Sequence, residues 1–514
     1  MNRLSLPFAL IAAVVLPQNA LANSEFEAFM KENTFDAQAA QQEFQDYLDA
    51  NDREFVGFLK QQWKKVELET PKVLDKTPKP VQLPKAPAQR PKAPIQKPKA
   101  PVQNPKAPIQ KPDIATKPIP KKPEPIVQVQ PIKPKPPVID RPAKKPVYIP
   151  PQQKTVEFTF IGHQVSLPEM KRRPLNFQGR PSSKTIASHW ESMAKQKHDH
   201  AVKALQGYKQ SLNLNDWAIA LLAFEYSKEI GLADINSQQL FTWFLLVKAG
   251  YDARLAYNNH AFVLMPSNQS LYGVTYFTMK GQKYYAVSLD GDKIDTGRAY
   301  TYSGKHDSAK KTVDFSGASE LLPSKELKTR NLSFKFNGET HAVNVKYDLA
   351  LVNFSNTLPQ MDIQYYPQQG LPDATGRQLL EQLQPLVKGK TELDAVNLIL
   401  RFVQTAFSYK TDGQQFNQEN YLLPIETLHY PYSDCEDRAS LFSWLVESLL
   451  GLDAVLLDYP GHIAAAVRFT QQPDGDKHYY DGKTYTVTDP TYINAKAGMT
   501  MPQFKNRQPK ILNF

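Results

Sequence analysis

Cysteine is almost absent from this chain: one residue, Cys435, in 514. An internal disulfide is thereby excluded. Long apolar runs are missing too. Beyond the first two dozen residues no stretch approaches the roughly 20 apolar residues that a membrane helix needs. A basic surplus is missing from most of the chain, in spite of a net +11. Residues 71–150 carry 18 Lys+Arg against 4 Asp+Glu, a surplus of 14 that leaves the remainder at −3. The basic character thus belongs to one segment, and neither a basic globular surface nor a nucleic-acid motif is expected.

What is present begins with a leader. In MNRLSLPFALIAAVVLPQNALANS, Arg3 supplies a positive start, Phe8–Leu16 a short apolar core and Ala20-Leu21-Ala22 a cleavage site. The pattern predicts a signal peptide over 1–22 and export, with a bacterial periplasm as the expected compartment. No cysteine follows the cleavage site, which argues against a lipid anchor. Structural cysteines of oxidising compartments come in pairs. Lone Cys435 is therefore either a small buried hydrophobe or a nucleophile.

Residues 23–68 predict a helical interaction segment. EFVGFLKQQWKKV sets Phe55, Phe58, Leu59 and Trp63 on one helical face. So short a piece is expected to pair with itself or with a partner. Residues 69–153 predict a disordered Pro/Lys-rich linker. Residues 71–150 hold 23 of the 42 prolines, and PKAPAQR, PKAPIQK, PKAPVQN and PKAPIQK follow one another over 84–111. Proline at that density blocks helix and sheet and favours extended polyproline II. The segment reads as a solvated spacer, or as a tether to anionic envelope polymer or headgroups.

The remainder repeats itself. LFTWFLLVKAGYDARLAYNNHAFVL (240–264) parallels LFSWLVESLLGLDAVLLDYPGHIAAAV (441–467), with Trp243 on Trp444, Gly250 on Gly451 and His260 on His462. FTFIGH (158–163) resembles FKFNGE (334–339), and DWAIALLAF (216–224) resembles DAVNLILRF (394–402). The shared order predicts two tandem α+β domains of one fold, over 154–320 and 326–514.

In the second copy Cys435 is expected at the start of a helix that runs to Leu450, with Gly451 as C-cap. There the unpaired N–H groups and the helix dipole favour a thiolate; with an imidazolium they can offset Asp434, Glu436 and Asp437. AVLLDY (454–459), HIAAAVRF (462–469) and TYTVTDP (484–490) read as strands. They can bring His462 and Asp489 to that helix end, as a nucleophile, general base and orienting carboxylate require. The insertion 408–432 is expected to wall the substrate cleft, with the Cys435 N–H and Tyr432 as oxyanion donors.

The order Cys435, a Gly-x-Asp-Ala strand, His462 opening a strand, then Asp489-Pro490-Thr491 resembles the transglutaminase-like superfamily, whose bacterial members are papain-like cysteine enzymes. The resemblance implies a thiol nucleophile at Cys435, a general base and acid at His462 and an orienting carboxylate at Asp489. The acids of DCED also resemble a periplasmic branch, the calcium-dependent adhesin-cleaving proteinases. That likeness implies calcium held by Asp434, Glu436 and Asp437, hard oxygen ligands of the kind calcium takes. The bland alternative is a helix start supplied with acids, with Asp437 bonding the backbone or Arg438. In the first copy Asp234 stands where Cys435 would, followed by His260 and Asp290, so that domain is expected to be a degenerate relic. The expected protein is an exported cysteine peptidase or amidase acting on a cell-envelope protein or peptide through a thioester, with crosslinking by an amine acceptor as a variant. The competing class is a non-catalytic envelope scaffold that keeps the fold. The triad itself requires no cofactor.

Overall fold

The computed structural model describes residues 37–71, 154–291, 294 and 297–514. Residues 1–36, with the signal peptide expected over 1–22, and nearly all of the Pro/Lys-rich segment lie outside the described residues. The rest mixes α-helices with antiparallel sheets, an α+β architecture.

Each half opens with a hairpin, Thr155–Phe160 with His163–Pro168 and Leu327–Phe336 with Glu339–Asp348. In the second, Asn337 and Gly338 both have positive φ (50° and 89°), the two-residue connection that matches strand twist. Two apolar helices follow in each half: Asp216–Glu229 and Ile235–Lys248, then Glu392–Ala406 and Cys435–Leu450. Gly451 has φ 66° and closes the last of these as a left-handed C-cap, as its position predicts.

The sheets share one connectivity. The first runs Lys64–Glu67, Arg298–Thr301, Arg254–Tyr257, Ala261–Pro266, Gln282–Ala286, Tyr276–Met279. The second runs Lys510–Leu512, Ala454–Tyr459, His462–Val467, Lys483–Thr488, Lys477–Tyr480. Apart from the extra strand at one edge of the first, the order of elements is the same. Alternate residues of the second sheet, such as Ile463, Ala465 and Val467, face the helices in the main core. Val455, Leu457, Tyr459, Ala464, Tyr485 and Val487 build a separate core on the other face, closed by Phe504 and Ile511.

The N-terminal helix, Ala37–Lys60, corrects the expectation of a free interaction segment. Its apolar face is used within the chain. Phe55 packs edge-on to Trp190 at 4.8 Å, and Trp63, just past the helix, lies 5.1 Å from Tyr302. Buried Asp52 accepts from Lys248 Nζ at 2.7 Å, Trp190 Nε1 at 3.1 Å and His306 Nε2 at 3.2 Å. Strand Lys64–Glu67 then pairs with Arg298–Thr301, and Glu69 bridges Tyr276. The chain therefore leaves at residue 71 from the body it re-enters at 154, where Lys154 accepts from the Glu169 N–H. The Pro/Lys-rich segment joins two points of one body.

The halves meet along a loop. Tyr272 N–H donates to Gln360 O at 2.7 Å, Asp362 N–H donates to Ser270 O at 3.0 Å, and the rings of Tyr272 and Tyr421 stack at 4.9 Å.

Candidate active site

Cys435 is the first residue of its helix and is 3 % exposed. The following hairpin joins Tyr459 to His462 through Pro460-Gly461, so His462 opens its strand as expected. Asp489 comes directly after the strand Lys483–Thr488. His462 Nε2–H donates to Asp489 Oδ2 at 2.8 Å, with both side chains 3 % exposed. The other Asp489 oxygen accepts the N–H groups of Thr491 and Tyr492 at 2.9 and 3.1 Å. Gln404 Nε2 braces the same turn through the carbonyls of Asp489, Tyr492 and Ala495. Gln404 was not legible in the sequence, since nothing local marks a helix residue that reaches a turn 85 positions away. Phe504 lies over the imidazole, nearly coplanar (9°) at 5.0 Å. With Nε2 bonded to the carboxylate, Nδ1 is the nitrogen left for proton exchange. The N–H of Ile463, the residue after that histidine, acts to lower the thiol's pKa.

The thiol's own bond runs to an acid. Cys435 Sγ–H donates to Glu436 Oε2 at 2.9 Å. Burial pushes the thiol's pKa well above its usual value, with the charges of Glu436 and Asp434 adding to it; the Ile463 N–H acts the other way. This corrects the expectation that the helix end would offset the acids. In a buried site the desolvation of a thiolate beside carboxylates outweighs a fraction of a dipole charge.

The acids themselves form a buried group of Asp412, Asp434 and Glu436, each with an oxygen within 4.8 Å of the others. Asp412 comes from the long connection 407–434, which in the first half is only 230–234. Asp434 Oδ2 accepts the Asp412 N–H at 3.2 Å, and Asp412 Oδ2 accepts the Asn420 N–H at 2.7 Å. Among the described residues nothing donates to the buried Asp434 Oδ1. Burial, then Asp437 and Glu436, push the Asp412 carboxyl up to about 10, and burial first pushes Asp434 well up too. Asp437 belongs elsewhere. Its oxygens accept the N–H groups of Leu422 and Asp434 at 2.8 and 3.1 Å, the backbone-capping role weighed against a metal one. The acids whose oxygens converge are thus Asp412, Asp434 and Glu436, whereas the sequence grouped Asp434, Glu436 and Asp437. Asp412 could not be read as a neighbour because it lies 22 residues upstream of Asp434 in an irregular segment. Arg438 is the buried cation of this region, held by Phe407 O at 2.7 Å and Ser433 Oγ at 3.2 Å.

The first half does not close the same arrangement. Asp234 is the N-cap of its helix, accepting from the Ser237 N–H and hydroxyl. Asn236 Oδ1 accepts the Ala261 N–H at 2.8 Å. Ile235 is the first residue of this helix, as Cys435 is of its counterpart. The hairpin is tightened by one residue, with the Asn258 N–H on His260 O, and His260 is exposed. Asp290 is exposed as well, accepting from Ser288 Oγ at 2.9 Å. Burial, partly offset by Asp234, pushes nearby His189 down to about 4.

Among the described residues no helix is long and apolar enough to cross a membrane. Comparison of the chain with protein-family models, curated proteins and solved structures returns no match.

Proposed function

We propose that the chain is an exported, transglutaminase-like cysteine enzyme with two tandem copies of one fold, of which the second breaks or transfers an amide bond in a cell-envelope protein or peptide. The carrying observation is the buried His462–Asp489 pair at 2.8 Å, in the half whose Cys435 leads a buried helix. The repeated sheet connectivity supports the tandem reading, and a helix start without cysteine, capped by Asp234, supports a silent first copy. In the reaction Cys435 Sγ attacks the carbonyl carbon while its proton passes to His462 Nδ1. Asp489 holds the ring and stabilises the imidazolium. The amine leaves with that proton, and water or a second amine then resolves the thioester.

The acid group bears on the resting state. Hard carboxylate oxygens, one of them a buried orphan at Asp434 Oδ1, fit a calcium ion. Asp412, Asp434 and Glu436 would hold it, and it would supply the positive charge these carboxylates lack. Glu436, turned to that charge, would release the thiol. The scaffold reading draws on one observation, the protonated and buried thiol of this state.

The test is labelling with a thiol-directed activity probe, with and without calcium, followed by mass-spectrometric comparison of envelope peptides from wild type and Cys435→Ala. Cys435-dependent labelling and new peptide ends support the enzyme. A folded protein whose peptides match those of Cys435→Ala in both conditions sinks it in favour of the scaffold.

A further inference from the structure

Tyr432, the sequence's choice for a side-chain oxyanion donor, is half-buried, and Lys410 Nζ lies 3.9 Å from its ring centre. Its neighbour across the strand pair has a different setting. Ser408-Tyr409 pairs in parallel with Tyr432-Ser433, which puts Tyr409 opposite Ser433, two residues ahead of Cys435. Arg438 stands three residues past Cys435 and so on the same side of the helix. Its guanidinium bonds Ser433 and Phe407 and lies 5.2 Å from the centre of the Tyr409 ring. The ring is thus clamped against the first turn of the cysteine helix. It is 36 % exposed, whereas Cys435, His462, Asp489, Asp434 and Glu436 are all buried. Of these side chains, the Tyr409 ring alone is open to solvent. Burial raises the pKa of the Tyr409 hydroxyl, and the Cys435 sulfur is the next cause, ahead of Asp434 and Glu436. A hydroxyl in that field remains protonated and able to donate.

When Cys435 Sγ bonds to a carbonyl carbon, the C=O π pair moves onto oxygen. That charge needs donors fixed in advance. The Cys435 N–H, at the unpaired end of the helix, is one. We infer that Tyr409 is a catalytic residue of this site, its hydroxyl donating to the oxyanion formed as Cys435 attacks a carbonyl that arrives over the exposed ring. The inference rests on the cysteine-enzyme reading.

Two reactions of the full-length protein in calcium-containing buffer separate the roles. Acylation by p-nitrophenyl acetate passes through an oxyanion; alkylation by iodoacetamide is a displacement without one. Tyr409→Phe is expected to slow the p-nitrophenol burst tenfold or more while leaving alkylation within twofold. Tyr432→Phe is expected to alter neither. An equal fall in both reactions for Tyr409→Phe, or an unchanged burst, overturns the inference. A wild-type burst that persists in Cys435→Ala, or no burst at all, overturns the enzyme reading and the inference with it. A Cys435-dependent burst indifferent to Tyr409→Phe overturns the inference alone.

Discussion

Glu436→Gln should turn the protected thiol into a reactive one. The wild-type sulfur donates to Glu436 Oε2 at 2.9 Å, so a thiolate formed there would face a carboxylate at contact distance. Two like charges about 4 Å apart repel by about 4 kcal/mol at an effective dielectric near 20. Part of that is lost to relaxation, and the neighbouring Asp434 is untouched by the substitution. A gain of about 1.4–3 kcal/mol for the thiolate is a conservative share. Since about 1.4 kcal/mol is a factor of ten, the thiolate fraction at neutral pH rises about ten- to a hundredfold. Glutamine keeps the side-chain shape and can donate to the thiolate, so access to the sulfur is held nearly constant.

The assay is the rate of iodoacetamide addition at pH 7.5 in the presence of a chelator, followed by intact mass. The variant should label at least tenfold faster than wild type, because the thiolate is the reacting species. Calcium should bring wild type toward the variant and leave the variant little changed. If folded Glu436→Gln labels at the wild-type rate in chelator, the carboxylate is not what holds the thiol back, and burial alone must be.

Two further outcomes follow from the same charges and from the docked helix. Burial raises Asp412 from 3.8 to about 10 and Glu426 from 4.5 to about 8. A group with a raised folded pKa contributes stability that is fully present below its unfolded pKa and is lost as pH rises through the folded one. The chelated protein should therefore melt at a higher temperature at pH 6.5 than at pH 8, and calcium should shrink that difference; the depressed His189 acts only below about 6.5. A melting temperature that rises toward pH 8 in chelator would count against the buried acids. Asp52→Ala should strand Lys248, which is 6 % exposed, without its carboxylate. Removing one partner of such a buried pair costs about 3–5 kcal/mol. Urea unfolding should show that loss, and limited proteolysis should cut within 37–60; an unaltered unfolding midpoint would mean that the helix is not part of the core.

The local grammar of the second half was legible because short-range physics dictates it. Short, nearly continuous apolar runs in AVLLDY and HIAAAV, buried on both faces, produce the strands 454–459 and 462–467, Pro460-Gly461 sets their turn, and Asp489 follows the strand that pairs beside them. Cys435, His462 and Asp489 could be gathered on paper because they fall within one run of five successive elements, a helix and two hairpins. Asp412 and Tyr409 could not. Both sit in the insertion between helices, where no periodicity fixes a register, and their places depend on a two-residue strand pair and on Asn420.

The misreadings have a common cause, which is that helix ends and desolvation are three-dimensional quantities. Counting along the repeat puts Asp234 on Cys435, since the apolar stripe and the terminal glycine keep one spacing. The helix in the first half, however, starts with Asp234 as its cap, and its second residue, Asn236, reaches the Ala261 N–H. The first helical residue therefore differs between the halves, Ile235 in one and Cys435 in the other. Likewise DCED reads as a dipole-favoured thiolate only if water screens its carboxylates. With Cys435, Asp434 and Glu436 all under 5 % exposed, that screening is gone and the acids prevail. The same burial that silences the thiol collects three carboxylates around an unpaired oxygen. On the proposed cysteine-enzyme reading, the thiol's reactivity is tied to neutralising those carboxylates, whose charges add to burial in raising its pKa.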